Sequence, residues 1–400
     1  MYCVKKISED LTWIGGNNRG QALFENVYPI PEGVSYNSYF LDDEKTVAFD
    51  TVDYAISRRY LENLAFVLDG RKLDYLIVNH MEPDHASVIE IVAQKYPEMT
   101  LVCNDKTLKM IKQFFTFDVE SRVHLVKEGD TLSTGKHKLQ FIMAPMVHWP
   151  EVMMTYDSTD KVLFSADAFG TFGTLDGKIF NDEFDYDRIF LDRARRYYAN
   201  IVGKYGNQVQ AVLKKAAALD IQKLCPLHGP VWRSNLGYIL YKYNLWSTYQ
   251  PEEDGVAIIY GSMYGGTENL AEILAARLAD QGIDQIVCYD VSKTENSYLI
   301  GEVWKYSHLV LASPTHNTNI YAPMENFMTH MEHLNAQNRV VAVMDNGCWV
   351  PQAGQKIKNR LAEMKNMTVL EPSLSVKSVI QEEQEDAVNA LVKAIAASLQ

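Results

Sequence analysis

The order of apolar and polar positions divides the chain into two parts of different character. Before residue 250, short apolar runs such as 73–79, 100–103, 138–144 and 161–165 predict strands, and several of them end in polar tips. Apolar residues at helical spacing predict a largely helical segment over 189–215. The first part is therefore expected to mix strands and helices.

After residue 255, strand-like and helix-like patterns alternate, which is typical of a doubly wound parallel sheet. The polar segment 247–255 contains one proline and three acids and is the best linker candidate, so we expect domains at 1–250 and 251–400. Strands are expected at 256–260, 285–289, 309–312, 340–344 and from 369, with helices at 267–280, 324–334, 354–364 and 382–398.

Length and charge narrow the class of protein. A chain of 400 residues exceeds one ordinary core, and 47% hydrophobic residues are enough to bury two. The net charge of −13 argues against a nucleic-acid surface. The sequence shows neither an apolar run long enough to cross a bilayer nor a secretory signal at its start. We expect a cytoplasmic protein that binds neither membrane nor nucleic acid.

The five cysteines are scattered and include no C-x-x-C pair. This spacing excludes a thiolate zinc ribbon and a built-in rubredoxin-type iron centre. Dispersed free thiols fit a reducing compartment. Any metal is therefore expected to be held by nitrogen and oxygen.

Four ligand-type side chains stand within six residues directly after the predicted strand 73–79, and three more follow later strand ends. Such a cluster would be a poor turn without a cation to balance it. Carboxylates with imidazoles suit iron, manganese or zinc, and seven donors are too many for one ion but fit two, with one bridging carboxylate. The candidates are His80, Glu82, Asp84, His85, His148, Asp167 and His228.

A glycine- and hydroxyl-rich loop, 261–267, joins the strand at 256–260 to a predicted helix. Such a loop points backbone N–H groups at one spot, where the start of the helix favours an anion such as a terminal phosphate. Two further polar loops, 313–317 and 345–349, follow the third and fourth strands. In a sheet of order 2-1-3-4-5, the ends of strands one, three and four converge at the ligand crevice.

The pattern His80-x-Glu82-x-Asp84-His85, with a later His, Asp and His, resembles the diiron site of flavodiiron proteins. Zinc hydrolases of the wider superfamily usually carry histidine where Glu82 stands, and a carboxylate there favours iron over zinc. The second part resembles flavodoxin, whose ligand is FMN. The resemblance implies an α/β two-domain chain: an N-terminal metallo-β-lactamase-like αββα sandwich plus a C-terminal flavodoxin-like doubly wound parallel sheet, in the minimal two-domain arrangement.

The resemblance also assigns residues. One iron falls to His80, Glu82 and His148, the other to Asp84, His85 and His228, and Asp167 bridges both. Tyr197 falls near the metal pocket as a catalytic candidate, although a tyrosine packed in the core is an equally good interpretation. The phosphate falls to Ser262, Met263, Tyr264, Gly265 and Thr267, and the ring and ribityl chain to Pro314, Thr315, Asn317, Asn346, Gly347, Cys348 and Trp349.

By the same resemblance, the protein is a diiron and FMN oxidoreductase that reduces O2 to water, NO to N2O, or both. Its electrons come from an external carrier such as rubredoxin or reduced deazaflavin. In this family the two cofactors of one chain lie too far apart, which implies a head-to-tail homodimer or a dimer of dimers. Three alternatives are a zinc hydrolase of the metallo-β-lactamase class fused to a flavodoxin-like domain, a redox shuttle with a structural metal domain, and a sensor of diatomic gases.

Overall fold

The computed structural model describes residues 1–399, which form two compact units. The first unit contains Met1–Tyr198 and Asn207–Asn244, and the second contains Ala199–Gly206 and the chain from Leu245 onward. Among these residues, no helix combines the length and the apolar character that a membrane span requires.

Most strands of the first unit have only two to four residues. They are β1 (Lys5–Lys6), β2 (Leu11–Trp13), β3 (Gly16–Asn18), β4 (Leu23–Phe24), β5 (Tyr28–Pro29), β6 (Val34–Tyr36), β7 (Tyr39–Leu41), β8 (Val47–Phe49), β9 (Tyr75–Ile77), β10 (Thr100–Cys103), β11 (Val123–Leu125), β12 (Thr131–Ser133), β13 (Lys138–Met143), β14 (Met153–Asp157), β15 (Val162–Phe164) and β16 (Lys223–Cys225). The helices are α1 (Ser57–Leu68), α2 (Pro83–Ala86), α3 (Ile89–Lys95), α4 (Asp105–Phe114), α5 (Asp192–Tyr197), α6 (Gly206–Ala216) and α7 (Leu236–Ser247).

Two sheets form the core of this unit, a seven-stranded sheet of order β1-β2-β7-β8-β9-β10-β11 and a five-stranded sheet of order β12-β13-β14-β15-β16. The two sheets pack face to face, as shown by the ring of Phe164 in β15, which stacks on the ring of Phe49 in β8 with centroids 3.7 Å apart. Helices cover the outer faces: Tyr60 of α1 hydrogen bonds the backbone beyond β8, and Leu213 of α6 lines a cavity with Leu163 of β15. The predicted αββα sandwich is confirmed.

The helical segment expected over 189–215 is interrupted. Five-residue π-helical stretches, Asp187–Leu191 and Tyr198–Val202, flank α5, and α6 begins only at Gly206. A β-carbon on Gly206 would lie 2.3 Å from the backbone oxygen of Ser247, so close backbone approach requires glycine there. Helical spacing of apolar residues does not reveal such an approach.

The second unit contains the predicted doubly wound sheet, with parallel strands in the order β18-β17-β19-β21-β22, which is 2-1-3-4-5. Its core includes Val256, Leu270, Met344 and Val392. The elements are β17 (Glu253–Tyr260), α8 (Gly266–Asp280), β18 (Ile286–Asp290), α9 (Asn296–Lys305), β19 (Tyr306–His316), β20 (Asn319–Ile320), α10 (Ala322–His333), β21 (Arg339–Asn346), α11 (Ala353–Glu363), β22 (Met367–Val369), β23 (Leu374–Val376) and α12 (Glu385–Ser398).

Two details of this unit differ from the sequence expectation. The strand β17 begins at Glu253, inside the segment expected to be a linker, because Glu253 pairs with Tyr306 at the start of β19. The helix α9 occupies the second connection, where no helix was expected. Glu295 caps the N-terminus of α9, and its side-chain carboxylate accepts a hydrogen bond from the backbone N–H of Ser297 at 2.9 Å.

A buried ion-pair cluster in the first unit gives a testable pH dependence. Both ring nitrogens of His137 face carboxylates, Nδ1 at 2.7 Å from Asp157 and Nε2 at 3.1 Å from Asp10. Burial lowers the pKa of His137, but the bonds to Asp157 and Asp10 outweigh it and raise the pKa to about 9. The stabilisation is complete below the unfolded pKa of about 6.5 and is lost as pH rises through 9.

We therefore expect the stability advantage of the wild type over His137→Gln to shrink by about 2 kcal/mol between pH 6 and pH 10. This is less than the full difference between the two pKa values implies, because Asp10 is partly exposed and solvent screens its charge. Thermal unfolding of both proteins across this range measures the difference. An advantage that stays constant from pH 6 to pH 10 would show that the ring is neutral in the folded protein.

Candidate functional site

The seven predicted metal donors follow four strand ends of the first unit. His80 and Glu82 lie in the loop after β9, and Asp84 and His85 belong to α2. The other three follow strands of the five-stranded sheet: His148 after β13, Asp167 after β15 and His228 after β16. Both sheets therefore contribute donors, and residues far apart in the sequence meet at one edge of the sandwich.

Asp50, which the sequence analysis missed, anchors the first of these loops. Its Oδ1 accepts from the backbone N–H of Asn79 at 2.7 Å and of His80 at 3.2 Å, and its Oδ2 accepts from the Asn79 side chain at 2.8 Å. Asp50 is buried, and burial raises its pKa to about 6. The sequence did offer a signal for Asp50, because it stands directly after β8 and a polar residue directly after a strand is the pattern that identified the metal donors.

The donors fall into two groups with Asp167 between them. The Oδ2 atom of Asp167 lies 3.1 Å from His148 Nε2 and 3.6 Å from His80 Nε2. Its Oδ1 atom lies 3.2 Å from His85 Nε2 and 3.7 Å from His228 Nε2. Each oxygen of one carboxylate thus faces a different pair of imidazoles.

One further carboxylate belongs to each group. Glu82 Oε2 lies 3.0 Å from His148 Nε2 and 3.3 Å from His80 Nε2. Asp84 Oδ2 lies 3.3 Å from the Nε2 atoms of both His85 and His228. The ligand atoms within each group lie within 4.8 Å of one another.

The donor set fits metal ions. Within residues 1–399, both side-chain oxygens of Asp84 and the Oδ1 of Asp167 are buried without a hydrogen-bond partner. The Nε2 atoms of His85 and His228 approach to 3.0 Å. Burial raises the pKa of Asp84 to about 8, with the charges of Glu82 and Asp167 adding to it. Buried acceptors without partners are costly, and two cations between these nitrogen and oxygen atoms would satisfy them.

Tyr197 ends α5 and is fully buried, with its ring centroid 5.5 Å from that of His228. Its hydroxyl has no hydrogen-bond partner in the described part of the chain. Burial, followed by the charge of Asp167, raises its pKa well above 10. The structure therefore places this residue beside the second group of donors, as an uncharged O–H.

A polar cavity of about 290 Å³ opens onto Glu82 and Asp84. At its rim, burial and the charge of Glu82 raise the pKa of Glu25 to about 8. Tyr36 donates to Gln21 Oε1 at 2.6 Å across the same cavity. The cavity therefore borders one carboxylate of each donor group, Glu82 and Asp84.

In the second unit, a cavity of about 200 Å³ lies at the carboxyl ends of β17, β19 and β21. Of the predicted FMN residues, Gly265, Asn317 and Trp349 do not line it, and Trp349 is 78% exposed. Ser378 and Val379 line it and were not foreseen. The predicted residues that line the cavity are Ser262, Met263, Tyr264, Thr267, Pro314, Thr315, Asn346, Gly347 and Cys348.

Backbone geometry makes this cavity a suitable phosphate cradle. The helix α8 begins at Gly266 after Gly265, whose φ of +86° favours glycine. Two hydrogen bonds join the end of β21 to the loop at residue 378. The Asn346 side chain donates to the backbone oxygen of Ser378 at 2.9 Å and accepts from the backbone N–H of Ser378 at 2.9 Å. Unbonded N–H groups at the start of a helix attract anions, so a ligand phosphate fits here.

Comparison with known proteins gives two family matches. Residues 34–229 match the ODP family beta lactamase model, and residues 258–390 match flavodoxin. An anaerobic nitric oxide reductase flavorubredoxin of Aliivibrio fischeri is 31% identical over 89% of this chain and 72% of its own length. An uncharacterized protein of Methanocaldococcus jannaschii is 29% identical over 95% of each chain.

Two solved structures match almost the whole chain. The flavodiiron protein from Giardia intestinalis has a TM-score of 0.92 at 27% identity, covering 99% of this chain and 97% of its own. The rubredoxin:oxygen oxidoreductase of Desulfovibrio gigas has a TM-score of 0.91 at 27% identity, covering 99% and 98%.

Proposed function

The chain belongs to the flavodiiron protein family, and on that premise we propose that it is an oxidoreductase that reduces O2 to water, NO to N2O, or both. Its cofactors are two iron ions and FMN, and an external carrier supplies the electrons. The observation that carries the proposal is the position of Asp167, whose two oxygens face two separate groups of donors.

The proposed iron ligands follow these groups. The carboxylates outnumber those of a typical zinc hydrolase site, which favours iron. One iron would be held by His80, Glu82 and His148, the other by Asp84, His85 and His228, and Asp167 would be shared by the two.

When bound, two ferrous ions and reduced FMN would supply four electrons, enough with four protons to reduce O2 to two waters. Reduction of two NO to N2O and water would need two electrons and two protons. The protein fixes the ligands by hydrogen bonds such as those from Asn79 and His80 to Asp50. The cavity at Glu25 admits water and protons. Tyr197 offers a neutral hydrogen-bond donor beside His228.

In the second unit, the FMN phosphate is held by Ser262, Thr267 and the backbone N–H groups around Gly265. Thr315 braces the neighbouring loop, because its hydroxyl accepts from the backbone N–H groups of Gln352 and Ala353 at 2.8 and 3.0 Å. Tyr264 is 97% exposed, which leaves its ring free to cover a bound flavin. Pro314, Asn346, Gly347 and Cys348 face the rest of the cofactor, with Asn317 and Trp349 at its edge.

The electron carrier is a rubredoxin or a reduced deazaflavin, and the rubredoxin in the name of the Desulfovibrio gigas relative supports the first. The chain acts as a head-to-tail homodimer or a dimer of dimers in the cytoplasm. Five unpaired thiols are consistent with that reducing compartment. Light scattering tests the dimer, since a monomeric active enzyme would contradict it.

Metal and flavin analysis followed by gas electrodes tests the function. We expect two irons and one FMN per chain, and continuous consumption of O2 or NO when reduced rubredoxin is supplied. Zinc in place of iron, with hydrolysis of a thioester or lactam, would instead establish the hydrolase alternative. Gas uptake that stops after one equivalent would indicate a sensor.

A further inference from the structure

Glu151 is a buried carboxylate beside the metal centre that does not belong to the seven donors. It is 1% exposed and stands three residues after His148, just before β14. Its Oε1 accepts from the backbone N–H of Met81 at 2.9 Å and lies 2.9 Å from His80 Nδ1. The other oxygen, Oε2, has no hydrogen-bond partner within residues 1–399. The charge of Glu151 is therefore directed at His80.

The imidazoles of the other group have weaker support. His228 Nδ1 lies 2.9 Å from the backbone oxygen of Ser35, which is a neutral acceptor. The Nδ1 of His85 has no hydrogen-bond partner in the described part of the chain. One side of the centre thus has a carboxylate behind a histidine, and the other side has a carbonyl and an unpartnered nitrogen.

The bond to Glu151 has two effects on His80. It places the proton on Nδ1, so that the lone pair of Nε2 points toward Glu82 and Asp167 at 3.3 and 3.6 Å. It also raises the electron density of the ring, because a carboxylate acceptor makes a ligating histidine more basic. A carbonyl acceptor, as at His228, does this less strongly.

We propose that Glu151 is a positioning residue that makes the two iron positions unequal. Two carboxylates act only on the position of His80, Glu82 and His148. Glu82 is one of its donors, and Glu151 acts through its bond to His80. The position of His85 and His228 has only Asp84, and Asp167 is common to both. The first position therefore stabilises the ferric state more and is oxidised before the second. This inference rests on the proposed diiron function.

The test is Glu151→Gln, which removes the charge and preserves the shape. The glutamine oxygen can still accept from Met81 and His80, and its NH2 group occupies the place of the unpartnered Oε2. The readouts are iron content, Mössbauer spectra of 57Fe-loaded protein and potentiometric titration of the half-oxidised centre followed by EPR. None of them depends on turnover.

We expect Glu151→Gln to keep two irons but to lower the formation constant of the half-oxidised state about tenfold. This corresponds to a decrease of about 59 mV in the difference between the reduction potentials of the two irons. One Mössbauer doublet should shift and the other should not. Unchanged potentials with two irons bound, or an equal shift of both doublets, would overturn the proposal.

Asp157→Asn is the matched control, because Asp157 is an equally buried carboxylate that bonds a histidine, His137, away from the metal centre. It should leave both iron signals unchanged. If Glu151→Gln does not fold, Glu151→Asp is measured in the same way, and the retained charge at longer range should give a smaller shift of the same doublet. A wild type without two irons contradicts the proposed function itself, whereas a wild type with two equivalent irons contradicts only this inference.

Discussion

Replacing Asp167 with alanine is expected to abolish gas reduction and to remove iron from both positions. Asp167 is fully buried, and its two oxygens are the only donors that face both groups within residues 1–399. Loss of a group that merely supports a ligand costs 10- to 100-fold in metal affinity, so loss of a shared ligand should exceed about 100-fold at each position. Iron per chain and gas consumption are measured on the same preparation.

Asp84→Asn provides the comparison for this variant. Asp84 faces only His85 and His228, so its replacement should weaken one iron and leave the other. FMN content should remain one per chain in both variants, since the flavin residues belong to the other unit. If Asp167→Ala retained two irons, the carboxylate would not be the bridge.

The second large effect is expected at the flavin loop. A β-carbon on Gly266 would lie 2.2 Å from the backbone oxygen of Ser378 and 3.1 Å from Asn346 Nδ2. Gly266→Ala must therefore displace either the start of α8 or the 378 loop, both of which line the cavity. A misplacement of one ångström costs about 100-fold in catalytic rate where geometry matters, and we expect FMN affinity to fall by a factor of the same order.

Gly237→Ala is the matched control, because nothing described lies within 4 Å of a β-carbon at this position in α7. It should retain FMN. Flavin absorbance after gel filtration and iron analysis measure the two cofactors separately. Gly266→Ala should lose turnover with the carrier while keeping its iron, and full flavin occupancy in this variant would refute the assignment of the loop.

The second unit was largely predictable because its strands are long and its connections are local. Six consecutive buried positions, 255–260, give β17 a clear strand signal, and the βαβ alternation that follows it indicates a parallel sheet. The first 70 residues gave no comparable signal. Strands such as β4 and β5 have two residues each, too few to show a period of two.

The metal donors were predictable for a different reason. Four of them stand within six residues, and an imidazole or carboxylate at a strand end is visible without knowledge of the fold. The supporting residues were not visible in this way. Asp50 follows β8 and Glu151 precedes β14, and only the folded sheets bring them to Asn79, His80 and Met81.

Because the metal donors follow strands of both sheets, they are synthesised at different times, and the two metal positions are completed in a fixed order. His80 and His228 are separated by 148 positions, the difference between their numbers, and the last donor leaves the ribosome when more than half of the chain has been made. A nascent chain that has not reached His228 lacks one of the seven metal donors. Binding at the position of Asp84, His85 and His228 therefore waits until His228 has been synthesised, whereas the donors of the other position are all present in the chain by residue 167.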